Sequence, residues 1–334
     1  MSRTDITVAE PSHVSRARLL AAAAAERCGL ADQQVHRVSI AATELATNLL
    51  KHATTGLFSV NVVPGRLDLL SVDKGPGIAR ISDSMRDGFS TTGTLGHGFG
   101  AVRRAADVFD VYTQLGAGTA VLARWNADPP NWDGLRLGGT LATAPGETSC
   151  GDRWIAVRAE TGADTVTVAV SDGLGHGEPA AKASLVAIAA IAAHADRGPS
   201  MILRTIQPVL APTRGATIAV VQFAPGREQL RFSGIGNVST RLYSASGARP
   251  SALLSRPGIA GAAVPAGLTE STHPWSPDSW LLMHTDGVSE RWSTGDWPGL
   301  LGHDPSTVAA WVLGQRGRGR DDACVVAVTG GNES

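Results

Sequence analysis

Apolar residues recur at helical spacing in the first third of the chain. They follow one another at three- and four-residue steps, which predicts the buried face of a helix from Asp32 to about His52. The positions are Val35, Val38, Ala42, Leu45 and Leu49. An alanine-rich stretch predicts an earlier helix over residues 12–28. Strand-like apolar runs at about 57–63 and 66–72 predict a pair of strands.

The rest of the chain contains short apolar runs rich in β-branched residues, and an aspartate stands at one end of each run. The aspartates are Asp152, Asp172, Asp286 and Asp321, which flank the runs 154–157, 165–170, 280–285 and 323–328 respectively. An isolated Asp-Gly is usually an ordinary turn. A carboxylate at the end of every run indicates oxygen ligands for hard divalent cations.

Five short motifs in this region resemble those of a known family. They are Gly151-Asp152, Asp172 to Gly177, Gly234 to Asn237, Thr285-Asp286-Gly287 and Asp321-Asp322. In this order, over about residues 138–330, they resemble metal-dependent PPM phosphatases, most of all the SpoIIE and RsbX-like bacterial branch. The resemblance implies an αββα sandwich with two Mn²⁺ or Mg²⁺ ions between its sheets. Such ions activate water and neutralise phosphoryl oxygens.

The resemblance also implies which residues hold the ions. The implied ligands are Asp152, Asp172, Gly173 through its carbonyl, Asp286 and Asp321. Asp172 bridges the two ions and is the residue on which hydrolysis depends. Asp321 is preferred over Asp322, because the family's ligand is the first of the two aspartates. His176 is interpreted as a turn residue.

Polar residues and glycines in the first third form a second constellation. Glu44 and Asn48 lie one turn apart on the predicted helix, on a face other than the apolar one. By themselves they are an ordinary solvent-facing stripe. Asp73 ends the second strand, and a glycine-rich loop at residues 93–100 precedes a helix at 101–106. Glycines ahead of a helix expose backbone N–H groups that bind phosphate.

Taken in series, these residues resemble the Bergerat (GHKL) ATP-binding fold of histidine kinases, gyrase and Hsp90, and most of all the anti-sigma-factor and RsbT-like serine kinases. The resemblance covers about residues 5–125 and implies that ATP binds with Mg²⁺. Glu44 is then the catalytic base, Asn48 holds Mg²⁺ and Asp73 accepts from the adenine amino group. The nucleotide-binding positions are Asn48, Lys51, Asp73, Gly75, Gly77, Gly96, His97, Gly98 and Thr119. His97 departs from the aliphatic residue of the relatives.

The two resemblances predict an α+β protein with two domains. Residues 1–125 form a two-layer GHKL kinase-like domain, residues 126–139 form a linker, and residues 140–334 form the PPM phosphatase domain. The formal net charge of −1 does not indicate a nucleic-acid or membrane partner. Three widely spaced cysteines argue for a reducing compartment. Because no signal peptide is visible and Ala183–Ala193 is short for a membrane span, we expect a cytoplasmic protein.

A kinase-like and a phosphatase-like domain in one chain predict control of a phosphoserine or phosphothreonine mark. By resemblance, the mark lies on STAS-domain proteins, either anti-sigma antagonists or stressosome components, in sigma-factor regulation of a bacterial stress response. Three alternatives remain. The ATP-binding domain is a non-catalytic sensor that gates the phosphatase, or it is a module that binds a sigma factor, or the phosphatase acts on a small phosphorylated molecule.

Overall fold

The computed structural model describes residues 2–53, 56–79, 81, 98–128, 130–159, 165–224, 226, 228–243 and 249–331. The chain divides into two compact units. The first consists of residues 1–130 and 293–315, and the second of residues 131–292 and 316–334. Both units combine helices with antiparallel sheet, so the predicted α+β class is confirmed.

The first unit contains a five-stranded antiparallel sheet, and the helices of its N-terminal part pack together on that sheet. Its elements up to residue 126 are β1 (Ser2–Val8), α1 (Pro11–Arg27), α2 (Asp32–His52), β2 (Gly56–Val63), β3 (Arg66–Asp73), α3 (Gly98–Ala105), β4 (Val108–Gln114) and β5 (Gly118–Asn126). The strand order is β1-β2-β3-β5-β4. The predicted stripe of α2 faces the core, where Leu45 and Leu49 pack with Phe58 and Val60 of β2. The apolar spacing of α2 therefore decides which face lies on the sheet.

The second unit contains two five-stranded antiparallel sheets. The elements from residue 135 onward are β6 (Leu135–Ala142), β7 (Asp152–Arg158), β8 (Val166–Gly173), α4 (Gly177–Ala193), α5 (Pro199–Thr205), α6 (Gln207–Leu210), β9 (Ala216–Ala224), β10 (Gln229–Ile235), β11 (Ser239–Tyr243), β12 (Ser251–Ala252), β13 (Ser271–Pro274), β14 (Trp280–His284), α7 (Pro305–Arg316) and β15 (Ala323–Gly330). One sheet has the order β13-β10-β9-β8-β7 and the other β12-β11-β14-β15-β6. Helices α4, α5 and α6 pack on the first sheet through Ile191, Ile202 and Leu210.

Two details of the predicted boundaries differ from the structure. Residues 135–139, predicted as linker, begin β6 and pair with β15, where Leu137 lies opposite Val328. The glycines of this stretch suggested a flexible connection, but β6 supplies the hydrogen-bonding partner that β15 needs on this side. Residues 293–315, predicted within the phosphatase domain, pack with the first unit, because buried ion pairs hold them on its sheet.

Within the described residues, no helix has both the length and the apolar character that crossing a membrane requires.

Candidate active sites

Asp152 and Asp172 lie side by side in the second unit. Asp152 begins β7, Asp172 lies near the end of β8, and the two residues are directly opposite in the antiparallel register. Opposite residues of adjacent strands point to the same face of a sheet. The register therefore places both carboxylates together on one face.

The other sheet of this unit contributes the remaining predicted ligands. Asp286 follows β14 and Asp321 precedes β15, and both are exposed. Between them, the Thr285 hydroxyl donates to Asp152 Oδ2 at 2.6 Å and accepts from Cys324 N at 2.8 Å. Thr285 therefore joins the ends of the two sheets at the point where the aspartates meet.

The charges of these aspartates act on one another. Burial, followed by the charges of Asp286, Asp321 and Asp322, raises the pKa of Asp172 to about 7. Burial and then the charge of Asp172 raise the pKa of Asp152 well above its ordinary value. Nearby negative charges disfavour the ionised form of a carboxyl group. The structure thus brings the predicted metal-binding aspartates into one electrostatic cluster.

The adjacent residues Asp321 and Asp322 occupy different environments. Asp322 is buried, and its two carboxylate oxygens accept from Ala144 N and Gly151 N, both at 2.8 Å. Asp321 is exposed. Asp322 thus holds the chain segment that carries Asp152, and Asp321 is the one of the pair with solvent-facing oxygens. That Asp321 binds metal stays a prediction.

Close backbone contacts hold the motifs in place. A Cβ at Gly287 would overlap the carbonyl oxygen of Asp322, so the Asp-Gly motif after β14 reaches the start of β15 only with glycine at this position. Gly173 N donates to Gly151 O at 3.1 Å. These contacts fix the backbone next to the predicted ligands Asp152, Asp172 and Asp286.

The donor set fits divalent metal ions in its chemistry. Carboxylates and the Gly173 carbonyl are the hard oxygen ligands that Mg²⁺ and Mn²⁺ prefer. The raised pKa values of Asp152 and Asp172 indicate negative charge that an ion would neutralise. In the described part of the chain, no three Asp, Glu, His or Cys side chains already converge on one point as metal ligands.

Two further polar residues border this cluster. Asn237 Nδ2 donates to Asp286 Oδ2 at 2.9 Å, so it orients a predicted ligand. The sequence showed only a small-residue turn there, and an amide that follows glycine is too common a signal to assign a role. His176 is exposed at the start of α4 and contacts Glu147 Oε1 at 2.6 Å, in agreement with its interpretation as a turn residue.

Several residues of the predicted nucleotide motif lie close together in the first unit. Asp73 ends β3, and its Oδ1 accepts from Gly75 N at 2.7 Å. Burial raises the pKa of Asp73, while hydrogen bonds from the backbone of Gly75 and Thr119 oppose the shift. Gly118 has a φ of +128° and lies so close to the Asp73 carbonyl that a Cβ would overlap it. Strand β5 therefore needs glycine here to approach Asp73.

Threonine hydroxyls complete this arrangement. Thr113 Oγ1 accepts from Ile78 N at 2.9 Å, next to Gly77, and lies 3.1 Å from Thr119 Oγ1. The result is a cradle of backbone and hydroxyl groups around Asp73. This cradle presents hydrogen-bond donors and acceptors beside the Asp73 carboxylate.

The helix residues of the predicted nucleotide site lie on α2. Glu44 and Asn48 are partly buried and one turn apart, and Lys51 is exposed in the last turn. Gly98 is the first residue of α3. Gly96 and His97 lie outside the described residues. The phosphate-binding part of this site therefore stays a prediction.

Comparisons with known proteins match both parts of the chain. The family model of stage II sporulation protein E (SpoIIE) matches residues 162–329, and the model of the histidine kinase-like ATPase domain matches residues 7–125. Serine/threonine-protein kinase RsbT of Bacillus subtilis (strain 168) is 36% identical over 114 residues, which are 33% of this chain and 86% of that protein.

Solved structures also resemble the chain. A structure described as the bacterial stressosome, a modular system adapted to control secondary messenger signaling, is 27% identical with a TM-score of 0.53, and the match covers 58% of this chain and 98% of that chain. RsbX in complex with magnesium is 20% identical with a TM-score of 0.52, covering 60% and 97% respectively. The likeness to RsbX concerns the fold, which is that of a PP2C-type phosphatase.

Proposed function

The chain belongs to the family of stage II sporulation protein E, with an N-terminal part of the RsbT-type kinase family, and we propose that its second unit is a metal-dependent phosphatase for phosphoserine and phosphothreonine in proteins. One observation carries this proposal. The carboxylates of Asp152 and Asp172 lie on one face of a sheet. Burial, and then the charges of the nearby Asp286 and Asp321, raise the pKa of Asp172 to about 7.

Each residue of the cluster has a distinct task. Asp152, Asp172, Asp286 and the carbonyl of Gly173 would hold two divalent ions together with Asp321. When bound, such ions neutralise the phosphoryl oxygens and lower the pKa of water. Thr285 orients Asp152, and Asn237 orients Asp286. Asp322 holds the segment of Gly151.

A phosphoprotein assay tests this part of the proposal. The substrate is a phosphorylated STAS-domain protein, and release of phosphate is followed with Mn²⁺ or Mg²⁺ and with a chelator. We expect metal-dependent release by the wild type, and loss of at least about 100-fold for Asp172→Ala, because the bridging carboxylate is removed. Asp196→Ala, at an exposed position away from the cluster, is the matched control. Equal activity of the wild type and Asp172→Ala would refute the proposal.

We further propose that the first unit binds ATP with Mg²⁺ and transfers phosphate to serine or threonine of a partner protein. The support is the kinship with RsbT, whose name is that of a serine/threonine-protein kinase, together with the Asp73 cradle and the Glu44–Asn48 pair on α2. Glu44 acts as the base that accepts the hydroxyl proton. Asn48 and Lys51 bind the phosphates and their Mg²⁺, together with Gly96, His97 and Gly98.

Two substitutions separate transfer of phosphate from sensing of nucleotide. Asn48→Ala should abolish ATP binding and therefore any function of the unit. Glu44→Ala should abolish transfer of radiolabelled phosphate and leave binding of ATP intact. If Glu44→Ala retains full biological function while Asn48→Ala does not, the unit is a sensor that gates the phosphatase.

The partners that we propose are STAS-domain proteins, either anti-sigma antagonists or stressosome components. The proposal is supported by the relation to RsbT and by the 27% identity to the stressosome structure. Co-purification with a STAS protein and, separately, with a sigma factor distinguishes the two classes of partner. Competition between the phosphoprotein and a small phosphate ester tests whether the substrate is a protein.

A further inference from the structure

Residues 293–315, here called the docked segment, are held on the sheet of the first unit by a buried ionic network. Arg124 of β5 donates to Asp68 at 2.8 Å and to Asp304 at 2.9 Å, and all three residues are buried. The Ser306 hydroxyl donates to Asp68 Oδ2 at 3.0 Å. Breaking a buried pair leaves an uncompensated charge, so a network of this kind resists partial displacement.

A second set of contacts extends this attachment along β4. His303 Nδ1 lies 2.8 Å from Asp110 Oδ1, and Asp304 N donates to Asp110 Oδ2 at 2.8 Å. The ring of Tyr112 packs edge-on against Trp311 with the ring centroids 4.8 Å apart. The docked segment is therefore attached at several points and not by a single contact.

The chain on either side of the docked segment leads directly to two predicted metal ligands. Ser289 N donates to Arg316 O at 2.9 Å, and Arg318 N donates to Gly287 O at 2.8 Å. These bonds close residues 289–316 into a loop whose base lies between Asp286 and Asp321. The docked segment is thus connected by short stretches of backbone to both aspartates.

The turn at residues 114–118 contacts both the docked segment and the nucleotide motif. On one side, Gln315 Nε2 donates to Ala117 O at 2.9 Å, and Gln114 Nε2 donates to Asp296 O at 3.2 Å. On the other side, Gly116 N donates to Pro76 O at 2.8 Å, and Gly118 adjoins the backbone of Asp73.

We propose that the turn 114–118 couples nucleotide binding at Asp73 to the placement of Asp286 and Asp321, with Gln114 and Gln315 as positioning residues. A nucleotide that orders the Asp73–Gly77 segment fixes the turn, the turn fixes the docked segment, and the closed loop holds the two aspartates at one spacing. The inference rests on the proposed ATP site and metal site, and it adds the direction of control, from ATP to the phosphatase.

Hydrogen exchange tests the coupling without measuring catalysis. In the wild type, a non-hydrolysable ATP analogue should slow exchange of the Ser289 and Arg318 amides and lower the Mn²⁺ concentration for half-saturation, each by about fivefold or more. In the double variant Gln114→Ala/Gln315→Ala, the analogue should still bind, but both effects should disappear. Gln33→Ala, at an exposed position of α2, is the matched control and should behave as the wild type.

Two results would overturn the coupling. One is that the bound analogue leaves these amides and the Mn²⁺ midpoint of the wild type unchanged. The other is that the double variant responds as the wild type does. If the double variant is misfolded, Gln315→Ala alone provides the same comparison. Failure of the proposed phosphatase function is seen separately, as phosphate release that does not depend on Asp172, while the exchange result still decides the coupling.

Discussion

Asp172→Asn should make the metal-free protein more stable at alkaline pH and remove its stabilisation by metal. The pKa of Asp172 is raised from 3.8 to about 7, so folding stabilises the protonated form of this carboxyl. The stability is fully present below pH 3.8 and is lost as the pH rises through about 7. Asparagine carries no charge at any pH and does not show this loss.

The size of the effect follows from the shift. Between pH 5 and pH 8 the raised pKa corresponds to about 3 kcal/mol of lost stability. Because Asp172 is only partly buried, water screens the charge, and we expect about half of that. For a unit of this size the difference in Tm between the variant and the wild type should grow by about 3–6 °C over this range.

The assay is thermal unfolding of the chelator-treated protein at several pH values, repeated with Mn²⁺. Excess Mn²⁺ at about 100 times Kd should stabilise the wild type by about 2.7 kcal/mol and Asp172→Asn by much less. Asp196→Asn serves as the control and should follow the wild type. The reasoning is refuted if the metal-free difference between variant and wild type does not grow from pH 5 to pH 8, or if Mn²⁺ stabilises both proteins equally.

Three other substitutions test separate contacts. Gly287→Ala should destabilise the second unit by about 1–3 kcal/mol in denaturant unfolding, because its Cβ would overlap the Asp322 carbonyl; an unchanged midpoint would contradict the close approach. Asp68→Asn should cost about 3–5 kcal/mol, since it leaves Arg124 in a buried network with less negative charge. Burial acts to raise the pKa of Asp68, but the positive charges of Arg124 and Arg66 outweigh burial and lower this pKa below its ordinary value. The difference in stability between Asp68→Asn and the wild type should therefore shrink as the pH falls below about 4; a constant difference would contradict the pairing. Asp73→Asn should weaken binding of a fluorescent ATP analogue by about 10–100-fold, because an amide donor replaces one acceptor oxygen and the negative charge is lost, and equal affinity would exclude Asp73 from the site. The controls are Gly295→Ala, Asp128→Asn and Asp107→Asn respectively.

The local signals in the sequence were sufficient to predict α1, α2, β2, β3, β7, β8, β14 and β15. The apolar stripe of α2 is visible in any short stretch of its sequence, because it depends only on residues three and four positions apart. The aspartates near the ends of β8 and β14 were found because an apolar run stops at an acid in each case. The side-by-side placement of Asp152 and Asp172 could not be obtained in this way. It depends on the register between β7 and β8, which the local pattern does not specify.

The docked segment is the part that the sequence analysis assigned to the phosphatase domain, whereas it packs with the first unit. Its main contact joins Arg124 to Asp304, which are 180 residues apart, and no periodicity connects such positions. A signal was nevertheless present. Arg124 and Asp68 are single charges inside apolar strands, and the register places them opposite each other. A charged residue at an inward position indicates a buried partner, although it does not identify Asp304.

The two acidic clusters of the chain show why one implies metal and the other does not. In the first unit, burial acts to raise the pKa of Asp110, but its contacts, foremost with His303, outweigh burial and lower this pKa overall. For Asp68, the charges of Arg124 and Arg66 likewise outweigh burial and lower the pKa. These acids are neutralised by side chains of the protein itself. For Asp152 and Asp172, the groups that act most strongly after burial are other aspartates, and the pKa rises. When burial and neighbouring negative charges raise the pKa of a carboxyl, its ionised form destabilises the folded protein. A pair of divalent cations removes that penalty, which is the physical reason to expect them at the second cluster and not at the first.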